Sequence, residues 1–266
     1  MLSANGTDLH VERRGAGEPL LLVQGMTGHS LHWGEDFLTA LEQDFELVLY
    51  DHRGVGRSAP SDGPFTIADL AADALAVLDG VDIDSAHVLG ISMGGMVAQE
   101  LALAEPDRVR TLTLGCTYCG GPGARFTDEP VVNAIAAAIL SGDAERKIRT
   151  GWQFNVSARF ANADGNFERF SPLAAQYPLA LGMIIAQLQA ITAHDTSARL
   201  AEIRAPTLVI HGTDDQMLPV GNGEIVAGLI PAARLELLEG VGHLFFWEQP
   251  ERAAQLVRDH VAATRA

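Results

Sequence analysis

Apolar residues fall along this chain in short, uninterrupted runs separated by longer periodic stretches. Leu20–Val23, Glu46–Tyr50, Ala86–Gly90, Val109–Leu114 and Pro206–Ile210 are runs of this kind. Each predicts a strand buried on both faces, as in a parallel sheet. Arg234–Leu238 is a sixth, more amphipathic run. Ahead of them, Asn5-Gly6 supplies the positive φ angles of a tight hairpin turn, and Leu9-His10-Val11-Glu12 alternates as a strand does. Helical periodicity fills the intervals. Phe65–Leu78 carries Ile67, Leu70, Ala71, Ala74, Leu75 and Leu78 on one face, and Thr66 with Asp69 can form a capping box with Asp in the usual place of Glu. Met93–Ala104 and Glu251–Ala263 are also helical, and Pro250 suits a helix start. This alternation predicts an α/β fold with a mostly parallel sheet flanked by helices. Residues 120–200 break the rhythm. They hold helical pieces (Val131–Leu140, Ala144–Phe154, Leu179–Ala193) with Gly, Pro and Asp between them, and no strong buried strand. We expect an inserted helical cap at 120–200, set into a core domain made of residues 1–119 and 201–266.

Charge narrows the partners. The chain has 266 residues, with Lys+Arg 18 against Asp+Glu 34 and a net charge of −16. That excess repels phosphate backbones and anionic lipid, so we expect no nucleic acid and no membrane among the partners. It also works against strongly anionic substrates. Hydrophobic residues make up 47% and charged residues 20%, which excludes a disordered chain. Two cysteines cannot build a disulfide framework and fit a reducing compartment. Met1–Gly15 has no apolar signal-peptide core, and no apolar run approaches a membrane span. A cytoplasmic location is expected. No feature indicates an oligomeric state.

Gly90-Ile91-Ser92-Met93-Gly94 is a G-x-S-x-G placed where a buried strand ends and a helix begins. That is the setting of a nucleophile elbow, a turn so sharp that the flanking residues have no room for a Cβ. Ser92 then stands at a helix N-terminus, whose dipole favours developing negative charge. A serine alcohol is a weak nucleophile and needs a base oriented by an acid, in the chain order Ser, acid, His. The strand at Thr207–Ile210 runs into His211-Gly212-Thr213-Asp214-Asp215, which offers two acids. Gly240-Val241-Gly242-His243 follows the last strand and offers the base.

From about Leu20 to Pro250 these motifs resemble those of the α/β-hydrolase family. The resemblance implies an α/β-hydrolase fold and no cofactor or metal. The family's acid usually lies three residues after a loop glycine, which selects Asp215 over Asp214, and Pro219 stands where the family often has proline. The resemblance thus implies catalytic roles for Ser92, Asp215 and His243. It also implies an oxyanion hole made by the backbone N–H groups of Met93 and Met26. At the second of these loops, Gln24-Gly25-Met26 departs from the family's His-Gly-x by carrying glutamine. Gly90–Gln99 resembles the elbow of the 3-oxoadipate enol-lactonase, perhydrolase and esterase group. It is also similar to that of C–C bond hydrolases. The expected substrate is a small, largely apolar ester or lactone, cleaved through a covalent acyl-enzyme. A cofactor-free perhydrolase or a C–C bond hydrolase on the same triad is the alternative, as is a non-catalytic ligand receptor of this fold. Dehalogenases and epoxide hydrolases are disfavoured, since those families use aspartate where Ser92 stands.

The remaining motifs are read as structural. Gly54-Val55-Gly56-Arg57-Ser58-Ala59 imitates a dinucleotide fingerprint, but Pro60 to Pro64 is loop where that site requires a helix. Asp51 to Ser58 instead resembles a structural loop of the same hydrolase family. Cys116-Thr117-Tyr118-Cys119 leads into a glycine-rich turn, which does not suit a redox helix. His29 and His32, with a gap of two residues between them, are read as lying on different helix faces, without a carboxylate cluster to complete a metal site. Among the cap's aromatics (Phe126, Trp152, Phe154, Phe160, Phe167, Phe170, Tyr177) some should line the pocket. We place Gly25, Trp152 and Phe154 against the substrate. Arg125, Arg146, Arg149, Arg159 and Arg169 are the cap's candidates for a substrate carboxylate, each more simply read as solvated surface.

Overall fold

A computed structural model describes residues 1–61 and 63–264. Its strands are β1 (Leu2–Ala4), β2 (Thr7–Leu9), β3 (Val11–Gly15), β4 (Glu18–Val23), β5 (Phe45–Tyr50), β6 (Ala86–Ile91), β7 (Val109–Gly115), β8 (Thr207–Gly212) and β9 (Arg234–Leu238). Its helices are α1 (Glu35–Leu41), α2 (Ile67–Gly80), α3 (Met93–Ala104), α4 (Glu129–Leu140), α5 (Ala144–Asn155), α6 (Ala158–Ala161), α7 (Asn166–Ala175), α8 (Leu181–Ala193), α9 (Gly221–Leu229), α10 (Phe245–Glu248) and α11 (Pro250–Ala263).

β3 to β9 form one seven-stranded sheet in the order β3-β5-β4-β6-β7-β8-β9. Only β3 runs antiparallel, paired with β5. The apolar runs earn their double burial by alternation. Leu20 and Leu22 of β4, Leu47 and Leu49 of β5 and Leu89 of β6 enter a core shared with Phe37 and Leu41 of α1 and Leu256 and Val257 of α11. Leu21, Val23, Val48 and Val88 enter the opposite core with Leu70 and Ala74 of α2 and Val97 and Leu101 of α3. Successive side chains leave a strand on opposite faces, so a strand between two helix layers must be apolar at every position. No helix among the described residues is long and apolar enough to cross a membrane.

The capping box forms. The Asp69 N–H donates to the Thr66 hydroxyl at 3.1 Å, and the Thr66 N–H donates to the Asp69 carboxylate at 2.7 Å. The hairpin turn forms at Asn5 (φ 48°) and Gly6 (φ 76°). The alternating stretch behind it divides at His10: Leu9 closes β2, while Val11 opens β3 and changes partner to β5.

Between β7 and β8 the described residues contain α4 to α8 and no strand. α1, α6, α7, α9 and α10 lie outside the helices read from periodicity. α9 carries Gly221, Gly223 and Gly228, and α7 has Pro172 inside it. In both, packing overrides poor intrinsic propensity.

The chain runs from β4 outward to β5, then returns to place β6 on the other side of β4. Such a reversal opens a crevice beyond the carboxyl ends of the two central strands, where ligands of open α/β sheets bind. The loops after β4 and β6 hold Gly25, Met26 and Ser92.

Candidate active site

One residue, Ser92, separates β6 from α3. Its backbone stands at φ 56° and ψ −123°, which costs a non-glycine residue about 1–3 kcal/mol unless its surroundings enforce it. They do. The Ser92 N–H donates to the Gly115 carbonyl at 2.9 Å. The Ser92 carbonyl accepts from the Gly95 N–H at 2.9 Å and from the Thr117 hydroxyl at 2.7 Å. Space fixes the motif's outer residues. A Cβ on Gly90 would lie 2.2 Å from the Gly94 carbonyl oxygen, and one on Gly94 would lie 2.1 Å from that of Val23. Neither backbone atom can move aside without opening the turn.

Asp215 and His243 come from the loops after β8 and β9. The His243 Nδ1 lies 2.7 Å from Asp215 Oδ2, while Asp215 Oδ1 accepts the N–H groups of Met217 and Leu218 at 2.8 and 2.9 Å. Asp214 makes no such contact with His243. Burial alone would push the Asp215 carboxyl up. The adjacent His243 and His211, with their hydrogen bonds, outweigh it and hold the group well below the usual carboxylate range. Ser92 and His243 open onto one cavity, and no direct hydrogen bond joins them among the described residues. Such bonds commonly tighten only in the substrate complex.

His211 is the residue that sequence reading missed, since it reads there only as a strand end. Fully buried, its Nε2 lies 2.8 Å from the Leu218 carbonyl and 3.2 Å from Asp215 Oδ2. A carbonyl only accepts, so Nε2 carries the proton and donates toward both oxygens. The acid is thus gripped by two histidines. Cys116 completes a trio of ligand-type atoms within 4.8 Å, with His211 and Asp215. Burial pushes the thiols of both Cys116 and Cys119 up, and both cysteines are free. They are inert packing thiols rather than nucleophiles.

The loop after β4 runs beside the elbow: a Cβ on Gly25 would stand 3.1 Å from that of Ser92. Gln24 folds back so that its Oε1 accepts the Gly25 N–H at 2.8 Å, and its carbonyl accepts from His52 Nε2 at 2.9 Å. Thr27 donates its N–H to Gln187 of α8 at 2.9 Å. The Met26 N–H between them makes no hydrogen bond among the described residues. Met93 follows Ser92 as the first residue of α3.

The cavity has a volume of about 370 Å³. Gly25, Met26, Ser92 and Trp152 line it, with Ile135, Phe170 and Tyr177 from the insertion. Phe154 does not. The first half of α5 meets the cavity on more than one side, through Lys147, Ile148, Thr150 and Gly151, but its last turn meets it only through Trp152 and Asn155, and Phe154, about 200° around from Trp152, falls on the other side there. Phe160 and Phe167 pack behind Trp152, and Phe126 is exposed. None of the five cap arginines lines the cavity; Lys147 does. A carboxylate clips the roof to the base: Glu248 accepts the N–H groups of Gly242 and Ser157, each at 2.7 Å, and the Ser157 hydroxyl at 2.5 Å.

Two further motifs resolve into structure. The segment after Asp51 forms turns, and no helix opens before Ile67. Asp51 accepts the N–H groups of Ser30 and Arg57 at 2.7 and 2.9 Å, bracing that loop. His29 and His32 do meet, contrary to the reading above, with ring centroids 4.0 Å apart. The turn at Ser30–Trp33 is a 3-10 helix, in which residues three apart eclipse. The His29 N–H donates to His32 Nδ1 at 3.0 Å, and burial with His29 beside it lowers His32 to about 3.

Comparison with known proteins agrees with this geometry. The model of a family described as the alpha/beta hydrolase family matches residues 20–256. A candidate carbamate hydrolase, RutD, of Azorhizobium caulinodans is 33% identical over 246 residues, covering 92% of this chain and 91% of that protein. Rhodomycin D methylesterase DnrP of Streptomyces peucetius is 30% identical over 274 residues, covering 93% and 92%. The crystal structure of the enol-lactonase from Burkholderia xenovorans superposes with a TM-score of 0.81 at 25% identity, covering 98% of each chain.

Proposed function

The chain belongs to the α/β-hydrolase family, and on that premise we propose that it hydrolyses a carboxylic ester or lactone of a small, largely apolar substrate through a covalent acyl-enzyme. The observation that carries this reading is the 2.7 Å contact from Asp215 to His243, on a histidine that shares its cavity with the strained Ser92. Asp215 holds the imidazole with the proton on Nδ1, which leaves Nε2 as the base. Ser92 Oγ attacks the carbonyl as His243 takes its proton. The oxyanion is met by the N–H groups of Met26 and Met93, the first of which has no other acceptor among the described residues. His243 then returns the proton to the leaving alcohol, and water activated by the same histidine releases the acid.

Supporting names among the relatives are a methylesterase and an enol-lactonase, and the apolar wall suits such substrates. Carbamates are a second reading, favoured by the relatives named for that activity. Both place the same carbonyl before Ser92.

Steady hydrolysis of p-nitrophenyl acetate by the wild type, lost in Ser92→Ala, is the expected result. Ser92→Ala that keeps the wild-type rate would sink the mechanism, and a single burst without turnover would favour a ligand receptor. Met26→Pro, which removes the N–H, should lower turnover by at least about a hundred- to a thousandfold, since losing one such donor costs about 2.7–4 kcal/mol of barrier stabilisation. A panel of esters, lactones and carbamates, assayed also for peracid formation, separates the substrate classes.

A further inference from the structure

The wall of the active-site cavity reverses the sign of the molecule. The sequence holds 34 acidic residues against 18 basic ones, yet among the described residues no aspartate or glutamate lines the cavity. Lys147 does, and it is the sole lysine of the sequence. The arginines beside it are otherwise disposed. Arg149 pairs with Glu145 at 3.1 Å and stacks over Phe167 at 4.1 Å, and Arg146 is exposed. Lys147 is half-buried; its backbone N–H donates to the Asp143 carbonyl, and its ammonium makes no hydrogen bond or ion pair among the described residues. His32, the other basic side chain of the wall apart from His243, is kept neutral by burial. The ammonium of Lys147 therefore has no carboxylate on the cavity wall to balance it. A partly desolvated ammonium gains most from a counter-ion that arrives with a ligand.

We infer that Lys147 forms an anion subsite, and that the substrate is an ester or lactone bearing a carboxylate away from its scissile carbonyl. This inference rests on Ser92 acting as the nucleophile of that cavity. One ammonium balances one negative charge, which fits a carboxylate rather than a phosphate dianion. Thr150, one turn on along the same helix and also lining the cavity, can donate its hydroxyl to the second oxygen. The overall charge of −16 then acts at long range and is screened by salt, while Lys147 acts at contact.

The test compares kcat/KM for p-nitrophenyl esters of a monocarboxylic acid and of the dicarboxylic acid of the same chain length, across a series of lengths. At one length the wild type should prefer the carboxylate-bearing ester by about tenfold, mainly through KM, as expected for one charge-assisted contact. Lys147→Met should remove that preference and Lys147→Glu should reverse it. Lys147→Arg should retain part of it, and Arg146→Met, one residue away and outside the cavity, should keep it in full. A wild type without preference at any length, or a Lys147→Met that keeps it, overturns the subsite. Either result with Ser92-dependent hydrolysis of the neutral esters leaves the hydrolase reading standing. Loss of all ester hydrolysis in the wild type strikes that reading instead.

Discussion

At Ser92 the backbone carries a conformation that its own side chain does not favour, enforced by three hydrogen bonds and two close-packed glycines. Replacing the serine separates the strain from the chemistry. Ser92→Ala and Ser92→Gly both remove the hydroxyl, but only glycine relieves the positive φ. The glycine variant should be the more stable by about 1 kcal/mol, read as a higher midpoint in urea. His211 permits a second separation. His211→Phe keeps the volume but removes the donor to Asp215, so kcat should fall with KM little changed, and the acid limb of the pH–rate profile should move. A merely structural role would lower stability and leave that profile in place. Ser92, Asp215 and His243 could be read from the chain because glycines and strand ends mark them locally. His211 could not. Its importance lies in where β8 brings it, 3.2 Å from a carboxylate four residues on, and no spacing rule separates it from the chain's other histidines.

Strands and helices with clear periodicity emerged within a few residues of their expected bounds, because burial on two faces writes itself into most positions of β4 to β8, with Glu18, Glu46 and Arg110 among the exceptions. Elements that exist through tertiary contact left weaker traces. α9 is rich in glycine, and a Cβ on Gly223 would lie 2.7 Å from His211, so the helix reads as loop while packing demands the small residue. Element junctions are equally hidden. Glu248 of α10 ties the histidine loop to Ser157 between α5 and α6, and the Leu244 N–H adds a bond to the Asn155 carbonyl at 2.7 Å. Glu248→Ala leaves backbone donors without acceptors and should cost about 1–3 kcal/mol in thermal or urea unfolding. Glu248→Gln keeps one acceptor oxygen and should cost less. Both should raise KM, since the insertion supplies much of the cavity wall.

Across the whole molecule, buried neutral histidines shape the response to acid. Burial lowers His87 and His194 to about 4, in His194 against the pull of Glu100. The unfolded chain takes up these protons below about pH 6.5, while the folded chain refuses them until about pH 4. Stability is therefore complete above pH 6.5 and is lost as pH falls toward 4, at up to roughly 1.4 kcal/mol per pH unit for each histidine. The melting temperature should drop between pH 6.5 and 5, before carboxylates titrate. Replacing His87 by glutamine, which can keep the bond its Nδ1 shares with Thr111 at 2.9 Å, should flatten that drop. A melting temperature unchanged over this range would refute the assignment.

The order of parts along the chain also sets a schedule. Ser92, the proposed nucleophile, and its glycines lie at 90–94, and His243, the proposed base, lies about 150 residues later. At bacterial or eukaryotic elongation rates that interval lasts roughly 8–30 s. Throughout it, a ribosome-bound chain carries Ser92 without His243, its proposed base. Any chain cut short before β9 shares that condition. On the proposed mechanism, hydrolytic competence therefore arrives nearly last in synthesis, and copies that end before His243 should show no ester hydrolysis.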